Sequence, residues 1–454
     1  MVNNSLKVAV LLACYLAAGI TTLQASDLSA TLLAALLCFV AYLISLWSVR
    51  VSASRDQEVS LWPPFLIAFF LYNNTYPFIL QSGIDLVYPG LETSEEFTAI
   101  AQAQATVALV IMCMLATLDA WRGTNHATSS AKGVRCLAVA PSRWIIGGNA
   151  LLMLTSLGYF STIAGDISAE AGRLGVAQSF NLYQWVFLGW MHLLFYFAAI
   201  LQAARSPNHR GVRTRLIVAA MLLALYCAMD SAVGGRKIIA AALLGTIYGA
   251  LRFGVPRLRT ITMAIPVAMV AMSVRAIFYD KFSGEADGFA SIALQLGGEF
   301  VFTFLTFPTT IASECSFYES SVNSYLMTGL QFVPRILWDD KPFSLAQSLS
   351  NYLYDGQEGF SIVPMAEAWC TFGNAAGFAF PLVAGLMLGL LLRIARRRPL
   401  VGFIVYAHAL ELNRGEVSYL VLQVVTLYAI YAIGGRLATA LAPSHPHAAP
   451  ANQC

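Results

Sequence analysis

Apolar runs of roughly 17–25 residues, each long enough to cross a bilayer as a helix, recur along the whole chain, and Lys and Arg fall in every second gap between them. The basic clusters are Lys7; Arg50 and Arg55; Arg122, Lys132, Arg135 and Arg143; Arg205, Arg210, Arg213 and Arg215; Arg252, Arg257 and Arg259; Arg393, Arg396, Arg397 and Arg398; and Arg436. Only Asp56, Glu58 and Asp119 accompany them, so nearly all the acids lie elsewhere. Lys and Arg are retained on the cytoplasmic side of a membrane, which puts these gaps inside and the alternate gaps outside. This layout excludes a soluble domain folded around one core, and the mean hydropathy of +0.67 with 11% charged residues agrees. Lipid offers the backbone no hydrogen bonds, so the spans must be helices. The formal net charge of +3 says little beside this asymmetry.

The runs place spans at about 8–24, 28–49, 61–81, 97–121, 144–164, 181–204, 216–233, 237–252, 261–279, 371–392, 400–413 and 417–435. These twelve crossings predict an all-α polytopic membrane protein, one integral membrane domain over 1–454, with both termini cytoplasmic. The first run, Val8 to Gln24, reads as a retained span. One connection is large: residues 280–369 lie outside, because Arg257 and Arg259 before them and Arg393 to Arg398 after them are cytoplasmic. Within it Leu296 to Ser313 is apolar enough to span, but a crossing there would turn the Arg396–Arg398 cluster outward or require another crossing. It is therefore read as re-entrant over 296–313, with Glu299 and Pro308 on a cavity wall. Tyr318 to Phe360 mixes aromatics with Asp, Asn, Gln and Gly, a composition suited to a surface cap that handles sugars.

Ionisable groups at or within spans cost several kcal/mol unless they meet a partner or a cavity, so each is a functional candidate. Arg236 lies in a Gly234-Gly235-Arg236-Lys237 turn, Arg275 ends a span, and Arg414 sits in the tight turn Asn413-Arg414-Gly415-Glu416. Lys237, Arg335 and Lys341 add to this outer cationic set, expected near one membrane face where a lipid headgroup sits. Arginine offers a planar fork for phosphate oxygens and stays charged. Snorkelling to the interface, or pairing with outer acids, is the plainer role and the favoured one for Arg335 and Lys341. Among the outer acids, Glu299, Glu367 and Glu411 stand apart from the Glu92, Glu95 and Glu96 run, which reads as a solvated face. Glu367, and more weakly Glu299, is a candidate for activating a sugar hydroxyl; a counter-ion to an arginine is an equal reading.

The order of Arg236 in its Gly-Gly-Arg-Lys turn, Arg275 at a span end and then a long outer loop resembles the Wzy-type oligosaccharide repeat-unit (O-antigen) polymerases. Lys341-Pro342 and Ser344, Gly359-Phe360-Ser361, Pro364, Glu367, Phe372-Gly373, Gly377 and Arg414-Gly415 extend the resemblance, which covers Gly234 to Ile433. It implies a GT-C-like membrane glycosyltransferase of the bacterial inner membrane, acting at the periplasmic face on undecaprenyl-diphosphate-linked oligosaccharide donor and acceptor. It also implies arginines that grip the diphosphate, a large periplasmic loop that shapes the sugar sites, and a chain-length regulator protein as a partner. The other GT-C branch carries acids in a sizeable first outer loop, whereas here that gap is only Ala25 to Leu28.

Two other functions share this charge layout. A ligase would transfer the finished glycan to a lipid core; a transporter or flippase of lipid-linked oligosaccharide would need cations through the bilayer and symmetric halves, and neither is evident. No Cys-x-x-Cys or Cys/His cluster suggests a metal, and no cofactor or nucleic-acid partner is expected. Cys315 and Cys370 both fall outside, where an oxidising compartment would let them pair, although cysteines in apolar settings are more often inert. His192 and His408 lie within spans and read as core histidines making one hydrogen bond each.

Overall fold

A computed structural model of the chain describes residues 2–24, 27–51, 59–83, 90–124, 142–163, 182–205, 210–232, 237–254, 289–318, 324–330, 333, 337–354, 361–415, 417, 421, 424–430 and 432–433. All regular structure among them is helical. The helices are α1 (Val2–Gln24), α2 (Leu28–Val51), α3 (Trp62–Gln81), α4 (Glu95–Thr124), α5 (Ser142–Ile163), α6 (Leu182–Arg205), α7 (Arg210–Ala232) and α8 (Lys237–Phe253). After them come α9 (Phe289–Ala312), α10 (Ser324–Leu330), α11 (Leu345–Tyr354), α12 (Pro364–Phe372), α13 (Ala376–Arg397) and α14 (Pro399–Ala407), with 3-10 turns at Gly373–Ala375 and Glu411–Asn413. Among the described residues, 7 helical stretches are long and apolar enough to cross a membrane. The expected span 261–279 lies outside the described residues, as does part of 417–435.

Contacts divide the chain into two compact units, Met1–Thr128 with Glu285–Ile394 and His408–Gln423, and Ser129–Gly284 with Ala395–Ala407 and Val424–Cys454. In the first unit helix directions follow from side-chain pairs. Tyr15 meets Thr117 at 3.3 Å, so α1 and α4 are antiparallel. Ser29 donates to Gln81, and Phe39 stacks on Phe70 at 4.2 Å, so α2 and α3 are antiparallel. Gln102 donates to Asn74 at 2.7 Å and to Thr106 at 3.2 Å, tying α3 antiparallel to α4 inside an apolar bundle; such a bond is worth about 0.6 kcal/mol in membrane helices. Phe69 stacks on Phe380 at 5.7 Å, and Gly385 faces Leu115 and Trp62, so α13 runs with α4 and against α3.

These directions gather the helix ends that carry Lys7, Arg50, Arg122 and Arg393 at one end of the unit, and Asp27, Glu92, Glu95, Glu96 and Glu314 at the other. Charge sorting along the sequence thus becomes two poles in space.

The expected re-entrant segment 296–313 overlaps α9. α9 is one unbroken helix of 24 residues, about 36 Å long. Tyr72 packs against Phe300 and Tyr76 against Phe304, at 4.7 and 5.9 Å between ring centroids, so α9 runs parallel to α3. The Glu92 backbone N–H donates to Thr309 at 2.8 Å, which fixes the end of α9 at the acidic pole. The same register carried back places Phe289 level with the start of α3. Pro308 removes one backbone donor, but the hydroxyls of Thr306, Thr309 and Thr310 donate to carbonyls of Thr303, Leu305 and Thr306 around it, and the helix continues.

In the second unit small residues set the spacing. A Cβ on Gly245 would lie 2.6 Å from Phe403, and one on Gly189 2.7 Å from Ile238 and Tyr226. Tyr248 donates to the Pro399 carbonyl at 3.1 Å, and Phe197 packs on Phe403 at 4.4 Å, which seats the nine-residue α14 on α6 and α8. Buried Asp230 accepts from the Trp185 indole at 2.9 Å.

A topology reporter fused after Gly288 and one fused after Tyr318 should report opposite sides of the membrane, with the second on the side of the α3–α4 loop. Identical readouts would restore the re-entrant reading.

Candidate functional site

The first unit assembles a polar cluster where α12 meets the 408–417 turn. Its local causes are visible in the chain. Val363 is extended, Pro364 takes the first helical position where no N–H is needed, and Glu367 sits in the first turn of α12, where a helix dipole favours a carboxylate. The Val363 N–H donates to Thr306 on α9. α12 stops after nine residues because Gly373 adopts φ 55°, a left-handed conformation that glycine takes without a Cβ clash. α13 then starts beneath Gln104 of α4, which accepts the Gly377 N–H at 2.7 Å and donates to the Asn374 carbonyl. Residue 377 must be small there, since a Cβ would fall 2.9 Å from the Gln104 backbone oxygen.

Glu367 is 0% exposed, and its Oε2 accepts the backbone N–H of Val417 at 2.9 Å. Arg414 donates through Nε to the Ser361 hydroxyl at 3.0 Å, and its Nη1 lies 3.8 Å from Glu411, the two side chains being 15% and 13% exposed. Ser361 and Glu367 flank the start of α12, so one short element holds both ends of the Arg414–Val417 segment. Tyr325 of α10 lies above α12, its ring against Phe372. Burial pushes its phenol well above the ordinary value, and the Glu367 carboxylate adds to the push, so Tyr325 is a neutral hydroxyl throughout the physiological range.

The turn is anchored within the first unit. Asn413 donates to the carbonyl of Phe65, in the first turn of α3, as well as to Ala409. Phe65 lies about 24 Å of helix from the far end of α3 at Gln81. Arg414 therefore sits among helices, where a charge is expensive and its hydrogen bonds correspondingly decisive.

Of the other expected site residues, Arg236, Arg275 and Arg335 lie outside the described residues, and of Glu299 only the backbone position, in α9, is described. Lys237 opens α8 in the second unit. Lys341 folds onto its own loop, Nζ donating to the Val333 carbonyl at 2.9 Å. The structure thus brings together Arg414, Glu411 and Glu367, and adds Ser361, Tyr325 and the Val417 N–H. Tyr325 carried no sequence signal, being one tyrosine among many in the outer loop. His192, expected to make one hydrogen bond, makes two, to Asn149 at 2.6 Å and Ser156 at 3.3 Å, and is buried. No family model, curated protein sequence or solved structure matches the chain.

The bond to Val417 makes Glu367 a structural acceptor whatever else it does. An amide oxygen accepts the same N–H, so Glu367→Gln should keep the thermal stability of the solubilised protein near that of the parent. Glu367→Ala, which strands a buried donor, should cost about 1–3 kcal/mol. If activity also survives in Gln but not in Ala, Glu367 positions the turn; equal loss in both would make it a proton acceptor.

Proposed function

We propose that this protein is a membrane glycosyltransferase of the bacterial inner membrane that polymerises undecaprenyl-diphosphate-linked oligosaccharide repeat units at the periplasmic face. The observation that carries the reading is the Arg414–Ser361–Glu367 cluster, a half-buried guanidinium and a buried carboxylate held side by side within an apolar bundle. The residues of this cluster are also those through which the sequence resembles the Wzy-type polymerases. The basic pole of the first unit faces the cytoplasm, and the acidic pole, with the part of the large loop that follows α9, faces the periplasm.

In the reaction the anomeric C–O bond of the growing glycan to undecaprenyl diphosphate breaks, and a bond to an acceptor hydroxyl oxygen of the next lipid-linked unit forms. The hydroxyl proton leaves to a base or to the departing diphosphate. Diphosphate is already a good leaving group, so positioning and stabilisation of its growing charge are what the protein supplies. Arg414 supplies charge and a planar fork; Arg236 and Arg275 are proposed as its partners on the diphosphate, with Lys237 and Lys341 as auxiliary cations. Glu367 and Glu299 are the acids proposed near the acceptor. The large loop shapes the sugar subsites, and membrane lipids and a chain-length regulator protein are the proposed partners.

Lipopolysaccharide from a deletion strain tests the reaction. A single-repeat band supports polymerisation, undecaprenyl-linked polymer without transfer to lipid core indicates a ligase, and an unchanged ladder removes both. At matched expression, Arg414→Ala, Arg236→Ala and Arg275→Ala should each lower polymer about a hundredfold, the cost of one contact that strengthens in the transition state. At least one Arg→Lys variant should stay severely impaired, because lysine lacks the fork. Arg396→Ala, in a cytoplasmic anchor, should change little. Near-normal ladders from the three alanine variants would reduce these arginines to interfacial anchors.

A further inference from the structure

Cys315 and Cys370 are joined by a disulfide across a sequence separation of 55. Its two ends sit at informative places. Cys315 follows the last turn of α9 at the acidic pole, where Glu314 and Cys315 take φ values of 51° and 58° and the Cys315 N–H donates back to Thr310. Two consecutive non-glycine residues in the left-handed region turn the chain sharply back after α9. Cys370 lies in α12, one turn beyond Glu367, beside Trp369, whose ring meets Phe307 of α9 edge-on at 6.4 Å. α12 has only nine residues, too few to be stable as a helix alone. Its non-covalent ties to α9 include that ring contact and the long Val363–Thr306 hydrogen bond of 3.4 Å.

We propose that the Cys315–Cys370 disulfide is the clamp that seats α12, and with it Ser361 and Glu367, against the Arg414 turn, so that the site is complete only when its acidic pole lies in an oxidising compartment. Cys315 follows α9 and Cys370 lies in the short α12 at that pole, whereas the described free cysteines Cys14, Cys38, Cys113 and Cys227 lie within long helices. The bond forms by exchange with a disulfide-bearing oxidoreductase. One cysteine thiolate attacks the oxidant's disulfide to give a mixed disulfide, the second displaces it, and two electrons and two protons pass to the oxidant, which leaves as a dithiol. Reduction reverses the step and frees α12 from α9. Cys315 and Cys370 are positioning residues: they touch no reacting atom, and they act through Ser361 and Glu367. The effect on catalysis rests on the Arg414 reading above; the clamp itself does not.

The test reads thiols and geometry separately from activity. In intact cells, a maleimide mass tag should leave Cys315 and Cys370 unmodified until the protein is denatured and reduced; free thiols at both positions before reduction overturn the proposal. Ser361→Cys should react slowly with a membrane-impermeant maleimide, and severalfold faster in the Cys315→Ser/Cys370→Ser background. The same acceleration should follow when folded Ser361→Cys protein is treated with a mild impermeant reductant, and should reverse on reoxidation, which separates loosening from misfolding. Polymer output should fall about tenfold to a hundredfold, the range for a small displacement of a positioned group, while Cys14→Ser changes neither readout. Unchanged Ser361→Cys labelling without the disulfide overturns the clamp. A faster label with unchanged polymer would keep the clamp and instead remove Arg414 from the reaction.

Discussion

The cost of holding a charge away from water governs this protein at every scale. It places the ends of α1, α2, α4 and α13 that carry Lys7, Arg50, Arg122 and Arg393 at one pole and the acids around α3, α4 and α9 at the other. It also explains why the arginine in the 408–417 turn has both a hydrogen bond and an ion pair. An arginine on a mobile loop needs no partner, but Arg414 is held by Ser361 and faces Glu411, next to an Asn413 that is bonded to α3.

Short elements do the work of placement. α14 stops after nine residues, and the turn after it is caught by Asn413 on the Phe65 carbonyl. α12 stops at Gly373 and is joined to α9 by a disulfide. Between these two fixed pieces run the Arg414–Ser361 and Val417–Glu367 bonds, each linking residues some fifty positions apart. Neither the 408–417 turn nor α12 is stable by its own length; the turn is tied to α3 and α12 to α9. A polar centre of this kind gives a defined arrangement of donors and acceptors to a substrate that itself carries charge.

The long helices, the alternation of basic gaps and the separation of Glu367, Glu411 and Arg414 from the solvated acids were all legible in the chain. Each follows from a local cost: apolar length, charge at a helix end, or an ionisable group in an apolar stretch. The direction of α9 was not legible. Counting crossings gives only parity, and a segment with Glu299 and Pro308 is as compatible with a cavity wall as with a helix. The contacts of Tyr72 with Phe300 and Tyr76 with Phe304 decide it, and they join parts of the chain more than two hundred residues apart. Tyr325 and the second hydrogen bond of His192 were invisible for the same reason, since each depends on a neighbour supplied by another helix.

By itself the sequence determined that the chain is helical, which helix ends carry which charge, and that Arg414 and Glu367 lie where a bare charge would be costly. These are properties of single segments, set by transfer energies that do not depend on what packs nearby. Only the tertiary structure decided that α9 runs parallel to α3, that the turn carrying Arg414 is tied to α3 and to the start of α12, and that Cys315 meets Cys370. Those outcomes depend on which surfaces meet across long sequence separations, and side-chain shape at helix contacts carries that information where hydropathy does not.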